Sequence, residues 1–214
     1  MRPRLQIALD NTSLEDALTT LGGGVGEKMD IIEAGTLLLA AEGKRAISVL
    51  RSLYPDKIIV ADFKLADAAK VMAPMFLDQG ADLVTVIAAA DPSTMQIADS
   101  EAKKRGKQAQ IELYGPWDFD RAKGWRELGL SHIIYHHSRD SDLPWGPADL
   151  EKVQGLCDLG FQVTVTGGIN SSHVKLFSGM PIFAFIGGRS IRECDNPVEE
   201  IDSFYREISC CWKD

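Results

Sequence analysis

The sequence predicts an α/β fold, a single-domain (β/α)8 barrel spanning residues 1–214, and three observations lead there. Eight short β-branched or apolar runs recur along the chain, segments of helical apolar spacing separate them, and glycines stand where helices should stop and strands begin. Near-continuous apolar strands alternating with helices call for a parallel sheet covered on its outer face, with right-handed crossovers. Eight such units in 214 residues match a compact barrel.

The first run, Leu5–Leu9, ends in Asp10-Asn11-Thr12-Ser13, an acidic strand end followed by a helix cap, and Leu14, Ala17, Leu18 and Leu21 form the apolar stripe of the first helix. An open doubly wound sheet would carry a Gly-rich phosphate turn at that strand end. Here the glycines, Gly22-Gly23-Gly24-Val25-Gly26, come after the helix, where they read as a flexible turn back to the sheet. Strand two is read at Asp30–Glu33, followed by helical spacing at Ala46, Leu50 and Leu53. Strand three is Lys57–Ala61, followed by Val71, Met75 and Phe76. Gly80-Ala81-Asp82 turns the chain into strand four, Leu83–Ile87, and strand five is Gln110–Leu113. Gly129-Leu130-Ser131 precedes strand six, His132–Tyr135. Gly160-Phe161 precedes strand seven, Gln162–Thr166, and strand eight is Ile182–Ile186.

Composition narrows the function classes. A net charge of -8 opposes a broad cationic surface, so nucleic acid and anionic membrane are poor partners, and any bound anion must meet a local pocket of N–H groups and cations. Cys157, Cys194, Cys210 and Cys211 lack both C-x-x-C spacing and a histidine partner pattern, as expected of reduced thiols in a cytoplasmic protein. Met1-Arg2-Pro3-Arg4 leads straight into a strand, and the apolar stretches at Thr36–Ala41 and Val84–Ala90 are too short to span a bilayer. Neither export nor membrane anchoring is expected.

Barrels of this class carry reacting groups at the C-terminal ends of their strands. Those ends supply Asp10, Glu33, Asp62-Phe63-Lys64 with Asp67 a turn later, Glu112, His136 with Arg139, Thr166-Gly167-Gly168, and Gly187-Gly188-Arg189-Ser190; strand four supplies nothing obvious. Glu33, Asp62, Lys64 and Glu112 follow or interrupt apolar strands, where an unpaired charge is costly, so they require one another or a metal. Glu33 and Asp62 on neighbouring strands suit a hard cation such as Mg²⁺, with positions left for water and substrate. Lys64, two residues past Asp62 on an extended strand end, would share its side, near both the metal and Asp67, and could offset developing negative charge. The glycine segments with Thr166, Gly168, Gly188 and Arg189 fall where such barrels bind phosphate. Of His136 and His137 only one can face the mouth, as a general acid, and alternation leaves open which one. His132 and His173 read as structural.

Ile59-Val60-Ala61-Asp62-Phe63-Lys64-Leu65-Ala66-Asp67-Ala68 resembles the D-x-K-x-x-D signature of the orotidine-5′-monophosphate decarboxylase suprafamily. Leu5–Asp10, Asp30–Thr36 and Leu83–Ile87 resemble its Mg²⁺-dependent branch, since the metal-free orotidylate decarboxylases lack a glutamate at the position of Glu33. Within that branch Gln110–Leu113, Tyr135–Asp140, Trp145-Gly146, Val163–Gly168 and Gly188–Arg192 are more similar to the 3-keto-L-gulonate-6-phosphate decarboxylase family than to the 3-hexulose-6-phosphate synthases, which typically have Asp in place of Glu112 and lack the Arg139 partner. The resemblance runs from about Leu5 to beyond Arg192.

It implies decarboxylation of a phosphorylated keto-sugar acid through an enediolate, with Glu33 and Asp62 holding Mg²⁺ and Lys64 offsetting charge. Asp10 and Glu112 would contact substrate, Gly168, Gly188 and Arg189 would bind phosphate, and His136 with Arg139 would position or deliver the proton. It also implies a homodimer in which Asp67 reaches the neighbouring subunit's site. The sequence departs from the relatives in a shorter Asp140–Pro144 loop, in His137 where they often carry Arg, and in Phe63, a large residue within D-x-K placed to alter packing beneath the metal. The competing readings are the synthase's aldol condensation of formaldehyde with ribulose 5-phosphate, a pentose-phosphate isomerase, and a non-catalytic sugar-phosphate-binding barrel.

Overall fold

Alternation along each strand divides the chain's apolar residues between two cores. In a computed structural model describing residues 2–137 and 144–213, the strands β1 (Arg4–Leu9), β2 (Ile31–Ala34), β3 (Ile58–Leu65), β4 (Leu83–Ile87), β5 (Gln108–Glu112), β6 (His132–His136), β7 (Gln162–Thr166) and β8 (Ile182–Gly187) close in sequence order into a barrel. Every neighbouring pair is parallel, including the closing pair β1 and β8. The fold is the (β/α)8 barrel that the sequence predicts.

Helices cover the outside. They are α1 (Leu14–Leu21), α2 (Val25–Lys28), α3 (Thr36–Glu42), α4 (Lys44–Leu53), α5 (Ala69–Leu77), α6 (Pro92–Lys103), α7 (Phe119–Glu127), α8 (Pro147–Asp158), α9 (Arg189–Arg192) and α10 (Pro197–Cys211), with a 3₁₀ segment at Ser171–Phe177. Leu5, Ile7 and Leu9 share one buried cluster with helix residues such as Ala17, Leu21 and Phe204. Inside the barrel, Ile31, Val60, Leu83 and Ala184 form one small apolar cluster, and Ala8, Ile134 and Ile186 form another. Among the described residues no helix is long and apolar enough to cross a membrane.

Local signals behave as expected at most boundaries. Ser13 caps α1 by accepting from the Asp16 amide, and Gly80 turns the chain into β4 at φ 110°, where a Cβ would also meet the Arg51 side chain at 2.7 Å. Several details differ. The glycine run ends in the helical turn α2 rather than in irregular chain, β5 begins at Gln108, and β3 continues past Ala61 to Leu65 with a shift of register. Leu53, Val71 and Met75, read as part of the helical core pattern, are 54%, 66% and 45% exposed, because α4 turns Ala46, Ile47 and Leu50 inward and α5 turns Ala69, Ala73, Phe76 and Leu77 inward instead.

The barrel interior is not wholly apolar. Gln6, Gln110, His132 and Thr164 are fully buried, and His132 Nε2 lies 2.8 Å from Gln110 Nε2 and 3.0 Å from Thr164 Oγ1. Burial, reinforced by the positive charge of Arg4, pushes the imidazole down to about 3 from its ordinary 6.5. Between those values the unfolded chain binds a proton that the folded barrel refuses, so stability falls as pH drops below about 6.5, by up to ~1.4 kcal/mol per pH unit. His132→Gln removes that proton uptake. Its loss of stability between pH 7 and pH 4.5, measured by urea unfolding, is expected to be smaller than the wild type's; an equal loss would show that His132 does not carry the acid sensitivity.

Candidate active site

The C-terminal ends of the strands surround a cavity of about 560 Å³. It is lined by Asp10, Glu33, Asp62, Lys64, Glu112, His136, Thr166, Gly168, Gly188 and Arg189, so ten of the residues singled out from the sequence converge in one place. Asp67 is exposed and outside that lining, with a carboxylate oxygen accepting from the Ala68 amide at 2.7 Å. Arg139 and most of the loop that follows it lie outside the described residues.

Lys64 is the hub of the acidic side. Its Nζ stands 2.6 Å from Asp62 Oδ2, 3.1 Å from Glu112 Oε2 and 2.9 Å from Thr36 Oγ1. Burial pulls the ammonium's pKa down, but Asp62 and Glu112 more than offset it, so the net shift is upward and the group stays charged. The expectation of an extended strand end is corrected: Lys64 has φ 48°, in the left-handed region, and it reaches Asp62's side through the irregularity in β3. Its partners are Asp62 and Glu112, not Asp67 as expected. Phe63 is likewise corrected, since its ring stacks on Phe76 of α5, centroids 4.5 Å apart, outside the barrel rather than beneath the carboxylates.

Glu33 is held from below, where Gln6 Nε2 donates to its Oε2 at 2.5 Å. Burial pushes its carboxyl well above the ordinary 4.5, and Asp62 and Asp10 push the same way. Asp10 sits against Gly35, where any Cβ would come within 2.3 Å of Asp10 Oδ1 and 2.9 Å of the Leu9 carbonyl; only glycine allows α3 to start so close to that carboxylate. Four carboxyl groups, Asp10, Glu33, Asp62 and Glu112, thus line one cavity with the single ammonium of Lys64. That imbalance fits a hard cation held by Glu33 and Asp62. Among the described residues no three Asp, Glu, His or Cys side chains are grouped to hold a metal ion; a Mg²⁺ held by Glu33 and Asp62 would take its other ligands from water and substrate oxygens.

His136, not His137, faces the mouth. Its Nδ1 is 3.0 Å from Glu112 Oε1 and its Nε2 is 3.2 Å from the Tyr114 hydroxyl. Burial raises the Glu112 carboxyl, and the hydrogen bond from His136 opposes the rise. His137 turns outward to Asp149 Oδ1 at 3.2 Å and packs on Trp145. His173 closes a cap, accepting from the Asn170 amide at 3.2 Å, a structural role as expected.

Across the cavity, Gly167 must be glycine because a Cβ there would strike the His137 carbonyl at 1.9 Å. Gly168 and Gly188 are different: a Cβ at either meets no protein atom within 4 Å, and both line the cavity beside Arg189. Space beside exposed backbone next to a guanidinium suits a phosphate. Sequence reasoning missed Gln6, Gly35, Thr36, Thr85 and Tyr114. Tyr114 alone had a usable signal, two residues past Glu112. The others are ordinary strand or helix-start residues until their neighbours are known.

The sequence model described as the orotidine 5′-phosphate decarboxylase / HUMPS family matches residues 3–204. 3-keto-L-gulonate-6-phosphate decarboxylase UlaD of Salmonella paratyphi B is 45% identical over 213 residues, covering 98% of each chain. Among solved structures, KGPDC from Streptococcus mutans, crystallised as a ligand complex, is 44% identical, with a TM-score of 0.94 and coverage of 98% of this chain and 99% of that one. 3-keto-L-gulonate-6-phosphate decarboxylase from Vibrio cholerae is 37% identical, with a TM-score of 0.93, over 99% of this chain and 100% of that one.

Proposed function

The chain belongs to the orotidine 5′-phosphate decarboxylase / HUMPS family, and from that premise we propose that it is a carboxy-lyase converting 3-keto-L-gulonate 6-phosphate to L-xylulose 5-phosphate and CO2. The observation that carries this reading is the joining, in one cavity, of the Glu33, Asp62, Lys64, Glu112 and His136 cluster with an open glycine wall and Arg189 on the opposite side. An acidic group at one end and an anion pocket at the other match a substrate with a reacting keto acid and a remote phosphate.

The substrate is a β-keto acid. Its carboxylate C–C bond breaks, CO2 leaves, and the electron pair remains as an enediolate, which then takes one proton at the carbon that lost CO2. Lys64, fixed as an ammonium between Asp62 and Glu112, offsets the negative charge that grows on the substrate oxygens. Glu33 and Asp62 would hold Mg²⁺, which when bound supplies further Lewis-acid stabilisation of such oxygens. Asp10 and Glu112 contact the substrate's hydroxyls, and Thr166, Gly168, Gly188 and Arg189 receive the phosphate. His136, oriented by Glu112, places the water that delivers the proton, together with Arg139 by family resemblance.

The protein acts as a homodimer in which Asp67, exposed on its own barrel, completes the neighbouring site. Four free cysteines suit the reducing cytoplasm.

Incubation with 3-keto-L-gulonate 6-phosphate is expected to release CO2 in the presence of Mg²⁺ and to stop on chelation. Release in neither preparation would refute the assignment, and turnover of ribulose 5-phosphate with formaldehyde would then move it to the aldol reaction.

A further inference from the structure

Strand β4 offers no charged group to the mouth, only the Thr85 hydroxyl, yet it faces the most irregular piece of the sheet. Its pairing with β3 runs Val60 to Leu83 and Ala61 to Val84, then resumes at Leu65 to Val86. Three residues of β3, Asp62, Phe63 and Lys64, therefore stand opposite the single residue Thr85. In a regular ladder backbone would bond to backbone here, with amides of alternate residues pointing to β4. Here the Lys64 amide donates to Thr85 Oγ1 at 3.0 Å, and the same hydroxyl donates to Asp62 Oδ1 at 2.7 Å.

We infer that Thr85 is a positioning residue, one that holds the Asp62–Lys64 bulge in the geometry the reaction uses. The inference rests on the proposed function for its catalytic consequence. Thr85 is 1% exposed, so neither of its partners can replace it with bulk water. Its one proton goes to Asp62 Oδ1, while Asp62 Oδ2 receives Lys64 Nζ at 2.6 Å and Thr36 Oγ1 at 2.8 Å. The carboxylate is thereby fixed from both oxygens. Its lone pair takes the Lys64 amide and holds that residue at φ 48°, a conformation unfavourable for a long L side chain. One hydroxyl thus sets the direction of both a candidate metal ligand and the candidate catalytic ammonium.

The test is Thr85→Val, which keeps the branched shape and strand preference and removes only the hydroxyl, compared with Thr85→Ser, which restores it, and Thr85→Cys, which keeps the size with a weaker donor. Three readouts are taken: a crystal structure, Mn²⁺ affinity without substrate from the free-ion spin-resonance signal, and steady-state decarboxylation. In Thr85→Val the Asp62 carboxylate should rotate or Lys64 should leave the left-handed region. Mn²⁺ should bind at least ~10-fold more weakly and kcat should fall ~10–100-fold, with KM changed less than ~3-fold because the phosphate wall is untouched. Thr85→Ser should recover to within ~3-fold, with Thr85→Cys between. Thr85→Val that binds Mn²⁺ and turns over within twofold of wild type overturns the inference, as does Thr85→Ser that is as impaired as Thr85→Val. If the wild-type protein neither binds the metal nor turns over, the proposed function falls, and an unmoved Asp62–Lys64 bulge in the Thr85→Val crystal structure is then what overturns the role of Thr85.

Discussion

Lys64→Ala is expected to abolish decarboxylation, with a loss of at least ~10³-fold in kcat, while binding of inorganic phosphate changes little. The ammonium is the only lysine or arginine head group among the side chains that line the acidic half of the cavity in the described residues, and it sits within 3.1 Å of both Asp62 and Glu112. Negative charge growing on the substrate would otherwise face four carboxyl groups with no protein countercharge beside them. Phosphate binding should survive because Gly168, Gly188 and Arg189 follow β7 and β8, across the mouth from β3. Kinetics and a phosphate titration on the same sample check both halves. Turnover retained within tenfold of wild type would remove Lys64 from the chemistry.

Glu33→Gln is expected to separate function from stability. Glu33 is buried beside Asp62 and Asp10, and its carboxyl is held well above the ordinary 4.5. From about that ordinary value upward, the folded protein retains a proton that the unfolded chain releases, so metal-free stability declines as pH rises through the window. A glutamine mimics the protonated acid at every pH. The variant should therefore unfold at a higher temperature than wild type in chelator at pH 7 to 8, by ~1–3 kcal/mol, or roughly 2–4 °C for each kcal/mol. The advantage should vanish near pH 4.5, where wild type is itself protonated. Adding Mg²⁺ should raise the wild-type melting temperature but not that of Glu33→Gln. Metal-dependent turnover should fall by more than the roughly 10–100-fold that changes behind a metal ligand cost. Equal metal-free stability of the two proteins at pH 8 would mean that Glu33 is not strained by its neighbours, and Mg²⁺ stabilising the variant as much as wild type would mean that Glu33 does not hold the ion.

Such trade-offs are visible in the sequence only in outline. Charged residues that follow or interrupt apolar strands are legible because burial of charge is costly, and Glu33, Asp62, Lys64 and Glu112 declared themselves in that way, while Asp10 and His136 were marked only by standing at strand ends. Their supports did not. Gln6, Thr36 and Thr85 are small or neutral residues that strands and helix starts accept for many reasons, and nothing local marks them as partners of Glu33 and Asp62.

Sequence alone determined the architecture and the inventory of the mouth. The period of apolar residues specifies strand or helix, and eight repeats of one unit leave little choice but closure. It could not determine which histidine turns inward, since one residue of strand extension decides between His136 and His137, nor where Phe63 packs. Nor could it show that Lys64 reaches Asp62 and Glu112 from a left-handed backbone. That depended on the β3 and β4 registers, which are set by contacts between residues 21 and 23 positions apart in the chain, and such pairings exist only once β3 and β4 lie side by side in the sheet.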